Sequence, residues 1–248
     1  MSLKHYKSIS ENFEENWFFS EDYFPTLCAL LTKNLCLKNG DKFVDLGCGT
    51  GNYTEEIIKS SDCELDYVLG VDFSKQMIEQ FSLRGSNYNG VSSDLESFVS
   101  STKLKFDRIL IKEVIHHVKN YKKFYADLNN ILNPAGETLI VTRPQNTNFP
   151  FFKKALKFFS ENQISKKSII NSLSDAKFIT DVSEVKINIS ISKKQLFKMI
   201  KNRFMSTFNH FTDEEINIGI DEVSQKFAKS DTIEFYDELI FIKAIKNN

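Results

Sequence analysis

The fold turns on Val44-Asp45-Leu46-Gly47-Cys48-Gly49-Thr50-Gly51-Asn52. An apolar run ends at an acid, and three glycines follow at alternate positions. A buried parallel strand that closes in a tight loop and opens a helix has this pattern, because residues without a Cβ let the backbone turn sharply and touch a ligand. The spacing is G-x-G-x-G, and Asn52 stands where no glycine follows. The phosphate-cradling G-x-G-x-x-G is therefore not matched, nor is a P-loop, which needs Lys-Ser/Thr after its last glycine.

Outward from this loop, acids recur at strand ends. Asp72 closes the next apolar run, Tyr67 to Val71, 27 residues after Asp45 (72 − 45), which leaves room for one helix and one strand. An acid there can accept both hydroxyls of a ribose. Asp94 follows a short strand-like piece, Tyr88 to Val91. A fourth run, Phe106 to Lys112, continues through Glu113 and Val114-Ile115 into His116-His117.

At these residues the chain resembles the class I S-adenosylmethionine-dependent methyltransferases. The matching blocks are VDLGCGTG at 44–51, GVDFSKQM at 70–77, SSDLESF at 92–98 and FDRILIKEVIHHV at 106–118. They stand in the family's order and spacing and cover roughly residues 40–145. Within the family, the likeness is to small-molecule enzymes of the trans-aconitate, juvenile-hormone-acid and quinone type. The resemblance implies S-adenosyl-L-methionine as cofactor. Asp45, Gly47, Gly49 and Gly51 would shape its methionine end, and Asp72 would take the ribose. Phe73 would lie against the adenine, with Asp94 and Leu95 bordering it, and Cys48 and Met77 would also belong to the cofactor pocket. Lys112 stands where the backbone meets the methionyl group.

Composition sets limits. A chain of 248 residues holds one full α/β domain: an N-terminal helical cap (1–39), a cofactor-binding core (40–145), and sheet completion with a helical lid at about 193–228 (146–248). A formal net charge of −1 argues against a broad nucleic-acid surface. Met1 to Ser10 is polar, so no secretory signal is expected, and no apolar stretch reaches the ~18 residues of a membrane span. Cys28, Cys36, Cys48 and Cys63 lack any metal-ligand spacing and read as free thiols in a reducing compartment. No metal is expected, the cytoplasm is the default location, and a monomer or homodimer is expected.

Periodicity orders the elements. Helices are expected over about 21–37, 53–60, 74–83, 121–132 and 164–176, with Asn133-Pro134-Ala135-Gly136 as a turn and Thr138 to Thr142 as the fifth strand. Strands alternating with helices give a Rossmann-like, doubly wound, mostly parallel sheet. Val182 to Ile191 and Ile233 to Ile245 read as strands, resembling the family's antiparallel edge hairpin, which makes the sheet seven-stranded. Two helical patterns, about 193–204 and 212–227, lie between them, and Thr212-x-x-Glu215 has the form of a capping box. This insertion and the aromatic N-terminal segment (Tyr6, Phe13, Trp17, Phe18, Phe19) read as a lid, or else as a packed helical layer.

A sulfonium-activated methyl needs an aligned nucleophile and the exclusion of water, with a base only for a protonated acceptor. Candidates for the base are His117, His116 and Glu113, each also readable as structural; on a helix start the two histidines would sit ~100° apart, so that only one faces the ligand. His210 and Trp17 could enter a closed acceptor site. The chain has four arginines among 32 cations: Arg84, Arg108, Arg143 and Arg203. Arg143 at the fifth strand's end and Arg203 in the insertion suit an anionic acceptor, because guanidinium grips carboxylate bidentately. The expected function is methyl transfer to a small molecule bearing a carboxylate or other anionic group. The alternatives are a tRNA or protein methyltransferase, which the absent Asn/Asp-Pro-Pro-Tyr/Phe motif opposes, and a catalytically silent cofactor-binding domain.

Overall fold

Apolar runs that end in acids become the inner strands of one sheet. The computed structural model describes residues 19–247. Trp17, Tyr6, Phe13 and Phe18 lie outside that range. β1 (Lys42–Leu46), β2 (Tyr67–Asp72), β3 (Tyr88–Ser92), β4 (Phe106–Lys112) and β5 (Leu132–Thr142) run parallel. β7 (Thr232–Lys246) lies antiparallel to β5, and β6 (Phe178–Ser192) lies antiparallel to β7. The order is β3-β2-β1-β4-β5-β7-β6. Strand order reverses between β1 and β4, and in open α/β sheets the crevice at such a reversal is where ligands sit.

One face of the sheet carries α1 (Tyr23–Leu35), α2 (Asn52–Ser61), α3 (Lys75–Ser82) and α6 (Lys153–Asn162). The other carries α4 (Leu95–Ser101), α5 (Tyr121–Ile131) and α7 (Lys166–Asp175). Local chemistry starts several of these helices: Ser74, Asp94, Asn120 and Ser165 each accept a backbone N–H as N-caps. Each apolar stripe then meets the sheet; on α5 the buried set is Phe124, Tyr125, Leu128 and Ile131.

Three local features differ from expectation. α6 was not anticipated. β5 begins at Leu132, which pairs with Phe106 before the register shifts. The expected turn at 133–136 survives as an excursion inside the strand, with Ala135 at φ 60°. β6 starts at Phe178 and pairs with β7 along its whole length, to Ser192.

The insertion consists of α8 (Lys193–Lys201), a 3₁₀ turn (Ser206–His210) and α9 (Asp213–Lys226). The capping box forms: Thr212 accepts from the Glu215 N–H, and the Glu215 carboxylate accepts from the Thr212 N–H. Leu196, Met199, Ile200, Ile216, Ile220 and Val223 are buried in the same core as α1. Most of the insertion is thus a packed layer, and only its middle, 204–210, reaches the crevice.

Candidate active site

The strand ends of β1, β2, β4 and β5 floor a cavity of about 1080 Å³. Its acid-lined end holds Asp45, Asp72 and Asp94. Thr54 donates to the buried Asp45 carboxylate, and burial, partly offset by that bond, raises its pKa to about 6. Asp72 accepts the backbone N–H of Ser74 at 2.9 Å and of Gly49 at 3.1 Å, one on each oxygen. Burial raises its pKa despite those bonds. Two N–H groups fill only half of a carboxylate's acceptor sites, so Asp72 keeps lone pairs for hydroxyl donors. Asp94 spends one oxygen on the Ser97 N–H, which holds its pKa low.

The glycines divide the work. Gly47, at φ 88°, has no room for a Cβ, which would stand 2.5 Å from Val114; this lets the segment after β4 close on the loop. A Cβ on Gly49 would meet nothing within 4 Å, so its backbone faces open space. Gly51 does not line the cavity. A Cβ there would come within 2.6 Å of Phe81, so its place is in the packing of the loop onto α3. Phe73, 43% exposed, lines the cavity with Met77, Leu95, Cys48 and Lys112.

At the other end, Glu113, His116 and His117 line the wall together. The two histidines were expected to point apart, yet both face the cavity. They occupy a single 3₁₀ turn (Ile115–His117), and their rings lie 4.1 Å apart. Burial, with His117 beside it, lowers the His116 pKa to about 3, so this imidazole is neutral at physiological pH. Glu113 has φ 59°, a left-handed conformation that costs a non-glycine residue about 1–3 kcal/mol. His116 Nδ1 and Glu113 Oε1 are buried without a hydrogen-bond partner among the described residues.

The two proposed acceptor arginines do not hold up as free forks. Arg143 does line the cavity, but it is 2% exposed and committed to the protein. Its Nε and Nη2 donate to the two oxygens of Asp237 at 2.8 and 2.7 Å, and its Nη1 contacts Glu113. Tyr23 donates to the same Asp237 at 2.5 Å. Burial works against the Arg143 charge, and Asp237 more than offsets it, so the pKa rises. Arg203 lies outside the cavity. It donates to the carbonyl of Phe208, to that of Phe211 at 2.8 Å, and to Asp213 at 2.7 Å, closing the 204–212 loop on itself. His210 is exposed at the cavity wall, with its ring 4.2 Å from Phe158. Trp17 lies outside the described residues.

Sequence reasoning missed Phe24, Tyr53, Phe158, Phe159, Gln163 and Leu239, all in the wall. A signal existed for α6: Phe152, Ala155 and Phe159 follow helical spacing. None existed for Leu239, which β7 delivers from the C-terminus.

The arrangement fits S-adenosylmethionine. Asp72 offers lone pairs to a ribose, Gly49 leaves open space over the loop, and the orphaned Glu113 Oε1 lacks a donor that an ammonium supplies.

Comparison with known proteins agrees. Residues 37–203 match the family model described as a methyltransferase domain. Malonyl-[acyl-carrier protein] O-methyltransferase 2 of Ilyobacter polytropus is 26% identical, over 97% of this chain and 98% of its own. Demethylmenaquinone methyltransferase of Staphylococcus saprophyticus is 25% identical, over 62% of this chain and 66% of its own. Among solved structures, a geranyl diphosphate methyltransferase in complex with geranyl diphosphate and sinefungin shares the fold, with a TM-score of 0.56 and 15% identity, over 90% of this chain and 77% of that one. The chain belongs to the methyltransferase-domain family and is a class I, S-adenosylmethionine-dependent methyltransferase of the small-molecule type.

Proposed function

We propose that the protein methylates a small acceptor bearing a carboxylate or another anionic group, held in an aromatic chamber between α1 and residues 204–210. The continuity of the cavity carries this reading. One volume runs from the acid-lined end to a chamber walled by Phe24, Phe158, Phe159, Phe204, Met205 and Leu239. Single-ligand pockets span about 300–1,000 Å³, so this cavity has room for a cofactor and a small second molecule. The likeness to an enzyme named for O-methylation of a malonyl group, which carries a carboxylate, supports the anionic acceptor.

The residue roles follow from position. Asp45, Gly47, Cys48 and Gly49 would frame the methionyl end of the cofactor, and Lys112 would meet it through its backbone. Asp72 would take the ribose, and Phe73, Met77, Asp94 and Leu95 would surround the adenine. When bound, S-adenosylmethionine supplies an electrophilic methyl on a sulfonium. The chain's own residues orient the acceptor and exclude water, the task of the aromatic wall. A carboxylate acceptor needs no base. For a hydroxyl acceptor, His117 and Glu113 stand at the wall as candidate bases, while His116, its pKa lowered to about 3, is a weak one.

An acceptor screen with radiolabelled methyl donor tests the reading, grouped as carboxylates (including malonyl thioesters), amines, phenols and thiols. Label released as methanol by base would identify a methyl ester. Transfer to RNA or peptide alone would overturn the small-molecule claim.

A further inference from the structure

Two cations of the described residues line the cavity, Arg143 and Lys112. Arg143 is fully paired. Lys112 is not: its ammonium lies 4.0 Å over the ring of Tyr53, and among the described residues it forms no ion pair. Lys112 is half-buried, and partly withdrawing a lysine from water without an anionic partner weakens its hold on its proton. Burial, followed by the nearby Arg143 charge, lowers its pKa to about 8. Asp45 pulls the other way, from the adjacent strand end.

The floor therefore presents two opposite charges side by side: an acceptor on β1 and a donor on β4. Asp45 accepts one hydrogen bond, from Thr54, and forms no ion pair with Lys112 among the described residues. Lys112 has a π-face and no carboxylate. The ring of Tyr53, itself packed on Phe24 at 4.9 Å, fixes the ammonium at the wall. Tyr53 stands two residues after Gly51, so the Gly loop and the lysine meet at one place.

We propose that the Lys112 side chain is the carboxylate receptor of this cavity. The carboxylate can come from either of two sources: the methionyl end of the cofactor, or the acceptor. The second source rests on the anionic-acceptor proposal and the first does not, so the two ideas can fail separately.

Calorimetry on the full chain distinguishes them, comparing wild type with Lys112→Met, which keeps the apolar stem and removes the charge. The probes are S-adenosylhomocysteine, its decarboxylated analogue, and malonate titrated into the S-adenosylhomocysteine complex. If the methionyl carboxylate is the partner, Lys112→Met weakens S-adenosylhomocysteine by about thirtyfold or more, as truncating one side of a buried charge pair does, while the analogue binds as before. If the acceptor carboxylate is the partner, both nucleosides bind normally and malonate binding is lost. A variant that binds all three as wild type does overturns the proposal, leaving Lys112 a half-buried lysine resting on Tyr53.

Should Lys112→Met not fold, wild type alone still decides. A carboxylate arriving at Lys112 raises its pKa again, so binding near pH 8.5 takes up protons, read from the dependence of the heat on buffer ionisation enthalpy. The other titratable and charged groups facing Lys112 are Tyr53, whose hydroxyl burial holds far above that pH, and Asp45, Cys28, Arg143 and Asp237. Of these, Asp45 titrates near 6 and Cys28 near 12, far from that pH, and Arg143 and Asp237 are paired with each other. Proton uptake with S-adenosylhomocysteine or malonate, and none with the decarboxylated analogue, supports the assignment. Equal uptake with all three refutes it.

Discussion

Every arginine of this chain is bound to the protein itself. Arg84 donates to Glu55 at 2.6 Å and to the Thr50 carbonyl, which braces the Gly loop. Arg108 reaches the carbonyl of Leu35, tying α1 to β4. Arg143 and Arg203 do the same at their own sites. The fork that suits a bound carboxylate suits a buried carboxylate or a helix-end carbonyl just as well, so scarcity alone was a poor guide to ligand contact. Arg143→Ala would leave Asp237, with no exposed surface, a buried charge held only by the Tyr23 hydroxyl. Such a loss costs about 3–5 kcal/mol, and denaturant unfolding should show it. A variant as stable as wild type would mean that the pair contributes nothing to the fold. Asp72→Ala should act in the opposite sense, sparing the fold and weakening cofactor binding by roughly 2–3 kcal/mol, the worth of charged hydrogen bonds. Unchanged affinity in a titration of that variant would remove Asp72 from the ribose site. Asp45 carries a pH signature. Its folded pKa, about 6, lies above the ~3.9 of an unfolded aspartate, so the folded state binds the extra proton and stability falls as pH rises from about 4 to 6. Asp45→Asn should flatten that slope and raise the melting temperature at pH 7 while impairing cofactor binding. A lower melting temperature at pH 7 would show that the charge supports the fold.

At the scale of elements, the tightest fit joins α9 to the chain before α6. Gly219 lies under Phe152, and an added Cβ would stand 2.3 Å from that ring. Alanine gains about 1 kcal/mol of helix propensity, but Phe152 is 2% exposed and has nowhere to go. Gly219→Ala should therefore lose about 1–3 kcal/mol, the usual cost of overpacking, and a stabilised variant would show that the two segments can slide apart. What could be read in the sequence follows from range. Asp45 and Asp72 were legible because each acid ends an apolar run, and Asp94 because it follows a short strand-like piece, and strand ends converge in a parallel sheet. The capping box at Thr212 was legible because its partners are three residues apart. The 94-residue separation of Arg143 and Asp237 was not, since only the β5–β7 register brings them together. The facing of both histidines depended on a 3₁₀ turn, whose tighter winding no periodicity in three residues can reveal. α6 was hidden by its phenylalanines, which read equally as strand or helix until Ala155 and Phe159 are counted on one stripe.

On the scale of the whole molecule, the sheet separates two cores, and the cavity lies above the one that includes α1 and the insertion. That core closes over the site at residues 204–210. Phe204 and Phe208 are buried among Phe19, Phe151 and Phe152, with Phe204 also lining the cavity beside Met205 and Thr207, and His210 is exposed. Residues flanked by two helices packed into the core have little freedom as a rigid flap, so opening must be confined to this short 3₁₀ segment. Arg203, left-handed at φ 54°, is the brace that holds it, through the carbonyls of Phe208 and Phe211 and the carboxylate of Asp213. Amide hydrogen exchange should therefore be faster at 204–212 than in the strands of the sheet, and it should slow when S-adenosylhomocysteine and an acceptor are bound together. Arg203→Ala removes three donated hydrogen bonds from this loop, and Arg203 itself does not line the cavity. It should speed exchange there, leave the sheet's protection intact, and raise the acceptor KM more than it changes cofactor affinity. Uniform protection in all states, with wild-type kinetics for Arg203→Ala, would make 204–210 a fixed wall, and access to the chamber would then have to come from the Phe24 side.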